Sequence, residues 1–227
     1  MNSLETPKVV GVLERLFGEA ETTDRSAIAE LLDNTEPGAD PVATALDAEV
    51  SDYKEFYHRS VQNFLCVSPV FGRFLYICGR AVNATRIVEF GTSFGVSTIH
   101  LACAVRDNGG GLVVGTELEQ AKATRAYGHL KEAGVDDLVD IRVGDALDML
   151  SGGVGGAIDL VHLDGAMSLY RPVLQLLEPH LRPNALIVAE NATPDYLDYI
   201  EDIATPYVSL PLPFRDVRGN ELTVFTG

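Results

Sequence analysis

From Arg86 onward, apolar runs of five or six residues alternate with longer stretches in which apolar side chains recur every three or four positions. The runs predict strands near 86–90, 112–117, 138–143, 158–163 and 185–189, and the stretches predict helices near 95–106, 119–133, 146–150 and 169–181. Apolar strands separated by amphipathic helices belong in a parallel sheet covered on both faces. The end of the chain breaks this rhythm. Residues 207–212 and 221–225 read as two strands joined by Arg215-Asp216-Val217-Arg218-Gly219-Asn220. A loop this short permits antiparallel pairing and forbids a helical crossover.

The first 84 residues are patterned differently. Val9, Val10, Leu13, Leu16 and Phe17 recur at helical spacing, and Asp24-Arg25-Ser26 can start a second short helix carrying Ile28, Leu31 and Leu32. Residues 34–41 form a loop by composition. Between Ser51 and Ala84 the chain turns aromatic, with Tyr53, Phe56, Tyr57, Phe64, Phe71, Phe74 and Tyr76 near His58 and Arg59. Most of these rings suit a core-facing stripe on one or two helices, with Tyr53, Tyr57 and His58 as candidates for a pocket wall.

The most informative stretch is Arg86 to Ala102, RIVEFGTSFGVSTIHLA, which reads strand, glycine turn, helix. Gly91 and Gly95 let the backbone come close to a bound molecule, and the helix start offers unpaired N–H groups to an anion such as a carboxylate. The spacing G-x-x-x-G is neither that of a pyrophosphate turn nor that of a P-loop. The next apolar strand ends in Glu117, 28 residues after Glu89, the spacing of one strand-helix-strand unit. An acid there can accept hydrogen bonds from both hydroxyls of a ribose, so turn and acid together point to a nucleoside-type ligand.

Composition narrows the partners. The 227 residues, 46% hydrophobic, suit one domain. With 33 acidic against 17 basic residues the net charge is −16, which argues against nucleic acid and anionic membrane and favours a neutral or cationic substrate. Cys66, Cys78 and Cys103 form no C-x-x-C pair and suit buried free thiols in a reducing compartment. The N-terminus shows no apolar run behind basic residues, and no segment approaches the ~20 apolar residues of a membrane span, so a cytoplasmic location is expected.

In order along the chain, VEFGTSFGVSTIHLA, GTELEQAKA, GDALDML, DLVHLDG and LIVAENA resemble the S-adenosylmethionine-dependent O-methyltransferases of the catechol and caffeoyl-CoA type, from about Val67 to the C-terminus. The resemblance implies a Rossmann-like α/β fold, with a seven-stranded, mostly parallel sheet and one antiparallel strand near the C-terminus. It divides the chain into a helical cap and dimerisation segment (1–50), acceptor-pocket helices (51–84) and a cofactor-binding core (85–227). It also implies a homodimer and a small phenolic or natural-product acceptor. For the cofactor it implies the backbone of Val67 and Ser68 at the methionine end, Gly91 and Ser93 against the methionine portion, and Ser97 on its carboxylate. Glu89 would orient the loop or the amino group, Glu117 would hold the ribose, Leu118 would border the adenine, and Asp145 and Ala146 would meet its edge. Asp145 is equally suited to capping the helix at 146–150. Asp164 would point into the same crevice.

Two departures concern the chemistry. The family's divalent ion, Mg²⁺ by its hard oxygen ligands, would fall to Asp164, Glu190 and Asn191, with Glu190 in place of the usual Asp. Met167 stands where the family often has a lysine base, and a thioether takes no proton. Asp164 and His58 remain as catalytic candidates, with His162 behind them. Two other readings compete: a family member that binds the cofactor without transferring methyl, and a nicotinamide-dependent dehydrogenase lacking the reversed strand.

Overall fold

A computed structural model describes residues 2–36, 38–39, 41–214 and 219–227. The seven strands are β1 (Arg86–Phe90), β2 (Leu112–Glu117), β3 (Val139–Val143), β4 (Ile158–Leu163), β5 (Leu181–Glu190), β6 (Tyr207–Leu212) and β7 (Asn220–Phe225). They form one sheet in the order β3-β2-β1-β4-β5-β7-β6. β1 to β5 pair in parallel, with Glu89 opposite Gly115 on one side and His162 on the other. β7 runs antiparallel between β5 and β6. This is the expected sheet with one reversed strand, and most of the linker predicted to join the last two strands, 215–218, lies outside the described residues.

Successive strand residues face opposite sides, so Ile87 and Val113 enter one core layer while Val88 and Val114 enter the other. The first layer is covered by α1 (Pro7–Thr23), α5 (Pro69–Ala81), α6 (Val96–Asp107) and α7 (Gln120–Ala133); the second by α8 (Ala146–Ser151), α9 (Tyr170–Leu177) and α10 (Pro194–Glu201). α1 docks through Val9, Val12, Leu13, Leu16 and Ala20, the larger of these side chains contributing about 1.5–3 kcal/mol each when fully buried. α5 and α6 meet where Gly72 faces His100: a Cβ on Gly72 would lie 2.6 Å from the imidazole.

The N-terminal part departs from expectation. α1 and α2 (Arg25–Asp33) are the two anticipated helices, but a third, α3 (Pro41–Ser51), follows, and α4 (Tyr53–Arg59) comes directly after it. Pro37 and Asp40, in the expected loop, lie outside the described residues. The strand expected at 185–189 begins at Leu181, and the preceding helix ends at Leu177 in a 3-10 turn, Glu178–His180. Pro183 does not stop the strand because the pairing with β4 slips there, from Ile158 opposite Leu181 to Leu160 opposite Leu186. The intervening residues bulge, and a missing N–H costs no ladder bond in a bulge.

Candidate active site

A cavity opens at the carboxyl ends of β1, β2 and β4, where open α/β sheets bind ligands. Gly91, Ser93, Glu117, Leu118, Asp145, Ala146 and Asp164 all line it. The structure therefore brings seven of the expected site residues to one place.

The loop after β1 is built from left-handed backbone at Gly91 (φ 96°), Ser93 (φ 47°) and Gly95 (φ 86°). Gly91 has a reason to be glycine that the sequence did not suggest. A Cβ there would stand 2.4 Å from the carbonyl oxygen of Asp164, so the close approach is between two segments of this chain. The loop is then tied to β2: the Ser93 N–H donates to Glu117 Oε2 (2.7 Å), and the Glu119 N–H donates to Glu117 Oε1 (2.8 Å). Burial raises the Glu117 carboxyl above its ordinary range, while those two N–H groups and Lys122 pull it back. Lys122, which sequence reasoning missed, lines the same wall with its Nζ 3.4 Å from Ser93 Oγ and above the Phe94 ring. Its place in the first turn of α7, directly after Glu117, was the available signal.

Glu89 is fully buried and does not line the cavity. It accepts hydrogen bonds from Thr92 Oγ1 (3.1 Å) and Thr98 Oγ1 (2.5 Å), beneath the loop. Burial raises its carboxyl, with His162 and the hydroxyls of Thr98, Ser97 and Thr92 opposing. Ser97 is thus on the Glu89 side of α6, Val67 is buried in the core, and Ser68 is the exposed N-cap of α5, accepting from the Phe71 N–H. None of the three lines the cavity. Asp145 caps α8 at the Leu147 N–H, as foreseen, and also lines the cavity. Burial alone would raise its carboxyl, but Lys54 (2.7 Å) and the Tyr53 hydroxyl (2.5 Å) hold it below the usual range.

Helices α3 and α4 close the other side. Tyr53 and Tyr57 line the cavity. His58 does not: its ring is exposed, with Nδ1 3.2 Å from Glu119 Oε1. Glu49 of α3 was missed altogether. Its carboxylate, fully buried, accepts from the Met167 N–H (3.1 Å), the Ser168 N–H (2.7 Å), Ser168 Oγ (2.6 Å) and the Tyr57 hydroxyl (2.9 Å). No spacing could have signalled it, because its partners on the 167–168 turn lie 118 and 119 residues away. Met167, in the place of the expected lysine, is buried under this contact.

Asp164 lines the cavity, with Oδ2 3.7 Å from His162 Nε2. His162 is buried and its Nδ1 lies 3.1 Å from the Val188 carbonyl oxygen. Burial pulls this imidazole down, and Asp164 and Glu89 together raise it by more. Glu190 ends β5, its carbonyl bonded by the Tyr170 hydroxyl, and Asn191 follows in left-handed backbone (φ 57°). Among the described residues no three His, Cys, Asp or Glu side chains are grouped to hold a metal ion. The expected Mg²⁺ set, Asp164, Glu190 and Asn191, holds two such side chains and an amide, and it rests on the resemblance alone.

Comparison with known proteins agrees with this architecture. Residues 88–192 match the family model of a methyltransferase domain. The chain is 37% identical over 161 residues to a catechol O-methyltransferase of Mycobacterium tuberculosis, covering 70% of this chain and 69% of that protein. It is 31% identical over 163 residues to a catechol O-methyltransferase of Niastella koreensis, covering 70% and 73%. Among solved structures, the O-methyltransferase TomG of Streptomyces achromogenes, in complex with S-adenosylmethionine, superposes with a TM-score of 0.64 at 24% identity, covering 92% of this chain and 99% of that one, a likeness of fold. On these grounds the chain belongs to the S-adenosylmethionine-dependent O-methyltransferases of the catechol type.

Proposed function

We propose that the protein moves the sulfonium methyl of S-adenosylmethionine to a hydroxyl oxygen of a small hydroxylated aromatic. The observation that carries this is the junction of two halves in one cavity: the Ser93–Glu117 cradle and, across the mouth of β4, Asp164 beside Ala166 and Leu169. The bound cofactor supplies an electrophilic methyl. Glu117, pre-aimed by two backbone N–H groups, receives the ribose hydroxyls. Asp145, Leu118 and Ala146 border the base. On the acceptor side Leu65, Ala166 and Leu169 suit a ring, and Asp164 accepts the hydrogen bond of the reacting hydroxyl and draws off its proton as the carbon–oxygen bond forms. Met167 contributes no proton transfer. His58, at the rim, acts on the site only through Glu119.

Incubation with isotopically methyl-labelled S-adenosylmethionine and catechol, read by mass spectrometry, tests the reading. One labelled methyl on the ring oxygen is expected, with Asp164→Asn lowering kcat more than it raises KM. Cofactor binding with no transfer to any phenol would overturn it.

Two coarser inferences accompany this. The acidic surface and unpaired cysteines suit a cytoplasmic protein, and no helix among the described residues is long and apolar enough to cross a membrane. A homodimer is inferred from the family resemblance, which gives the exposed Val70 and Ile77 of α5 and Val208 and Leu210 of β6 a surface to bury against; sedimentation at a single-chain mass would remove it.

A further inference from the structure

We propose that Lys122 is a second ribose ligand: its amine donates to a sugar oxygen whose proton Glu117 accepts, so the cofactor's diol is held by a carboxylate and a lysine together. This rests on the proposed placement of S-adenosylmethionine, with Glu117 on the ribose, and adds a residue to that same site.

The hydrogen-bond inventory leads there. A carboxylate has about four acceptor positions. On Glu117 the Ser93 N–H fills one on Oε2 and the Glu119 N–H fills one on Oε1, which leaves a position on each oxygen for the hydroxyl protons of a ribose. Once those protons are given away, the sugar oxygens still offer lone pairs and need a donor. Hydroxyls on the surrounding wall have spent theirs: Ser93 Oγ donates to the Phe64 carbonyl (2.7 Å) and the Tyr53 hydroxyl to Asp145 (2.5 Å).

Lys122 has N–H bonds to spare. It is 4% exposed, and among the described residues lining the cavity it is the only lysine or arginine. An ammonium carries three donors. One reaches Ser93 Oγ at 3.4 Å, and the Phe94 ring centroid lies 5.3 Å from Nζ. Burial pulls the ammonium below the ordinary lysine range; Glu117 at the end of β2, Asp24 after α1 and Glu119 before α7 oppose that, and Arg125 on α7 adds to it. A buried amine short of acceptors is costly. Beside an acid already aimed for a diol, the group that relieves the cost is the diol's own oxygen.

The test is calorimetric binding of S-adenosylhomocysteine and of its 2′,3′-dideoxy analogue to wild type and Lys122→Met. The wild type is expected to prefer the ribose ligand by about a hundredfold or more, the scale of several hydrogen bonds to charged groups. In Lys122→Met, S-adenosylhomocysteine should bind about tenfold more weakly and the dideoxy analogue no worse than in wild type, so the preference falls by about tenfold. The variant is read at pH 7 and again at pH 9. A lost donor stays lost at both, whereas a lysine that served only to keep Glu117 ionised is made unnecessary by the higher pH. Return of the full preference at pH 9 therefore overturns the direct contact, as does a variant that keeps the full preference at pH 7 or loses both ligands equally. A wild type that does not distinguish the ligands, or binds neither, overturns the proposal together with the ribose role of Glu117. Turnover plays no part in the readout, so absence of labelled methyl transfer would sink the functional reading separately. If Lys122→Met fails to fold, Lys122→Gln, whose amide ends one bond short of the amine, decides by the same comparison.

Discussion

The backbone N–H of Ser93 donates to Glu117 Oε2 across 2.7 Å, which makes the loop after β1 and the acid that ends β2 a single unit. If Glu117 holds the ribose as proposed, replacing it disturbs both that contact and the loop it ties down. Glu117→Ala is expected to weaken S-adenosylhomocysteine binding by about 1.5–3 kcal/mol, the range of hydrogen bonds to a charged group. Calorimetric titration checks it, and an unchanged affinity would remove Glu117 from the cofactor site.

Glycines on this fold should respond to the same substitution with opposite signs. Gly91→Ala forces a Cβ against the Asp164 carbonyl in left-handed backbone, and a loss of about 2–4 kcal/mol is expected. Gly128, inside α7, has open space where a Cβ would stand, so Gly128→Ala should gain about 0.5–1 kcal/mol by helix propensity. Urea unfolding of the two variants measures both; a stable Gly91→Ala protein would mean that β1 and β4 can part at that point.

Acid sensitivity should trace partly to His100. Burial pushes its imidazole down to about 4, from 6.5 when unfolded. The folded chain thus holds the ring neutral while the unfolded chain takes up a proton, and stability falls as pH drops from 6.5 towards 4. At pH 5 the loss from this group is about 2 kcal/mol. Wild type and His100→Gln, unfolded in urea at pH 7 and pH 5, should differ in their pH dependence by about that amount. Equal slopes would show that the ring is hydrated in the native state.

The reading that gives the proton of the reacting hydroxyl to Asp164 needs no ion, so it expects methyl transfer to survive exhaustive treatment with a chelator. Loss of turnover on chelation, restored by Mg²⁺, would instead make Asp164, Glu190 and Asn191 its ligands, with the longer Glu190 arm reaching a water or the ion.

Much of this was legible in the sequence because the information was local. The apolar runs of β1, β2 and β4 and the glycine turn at 91–95 encode their own geometry, and Glu117 announces itself by ending a strand. β5 was foreshortened because Pro183 argues against a strand unless a bulge absorbs it, and the bulge is set by the pairing partner. α3 was missed because PVATALDAEVS follows a Pro- and Gly-containing loop and has too few large apolar residues to show a clear stripe. Glu49 and the Gly91–Asp164 contact were not legible: Glu49 is held chiefly by residues 167 and 168, far along the chain, and Gly91 meets a backbone carbonyl that carries no side-chain signature.

The placement of β7 between β5 and β6 has a consequence for folding. Until β7 docks, β6 has no partner and the outer edge of β5 is bare. Closing of the sheet waits for that one strand, so a folding intermediate that lacks it presents two sticky edges at once. That interval is when a chaperone, or a neighbouring copy, would find this protein easiest to capture.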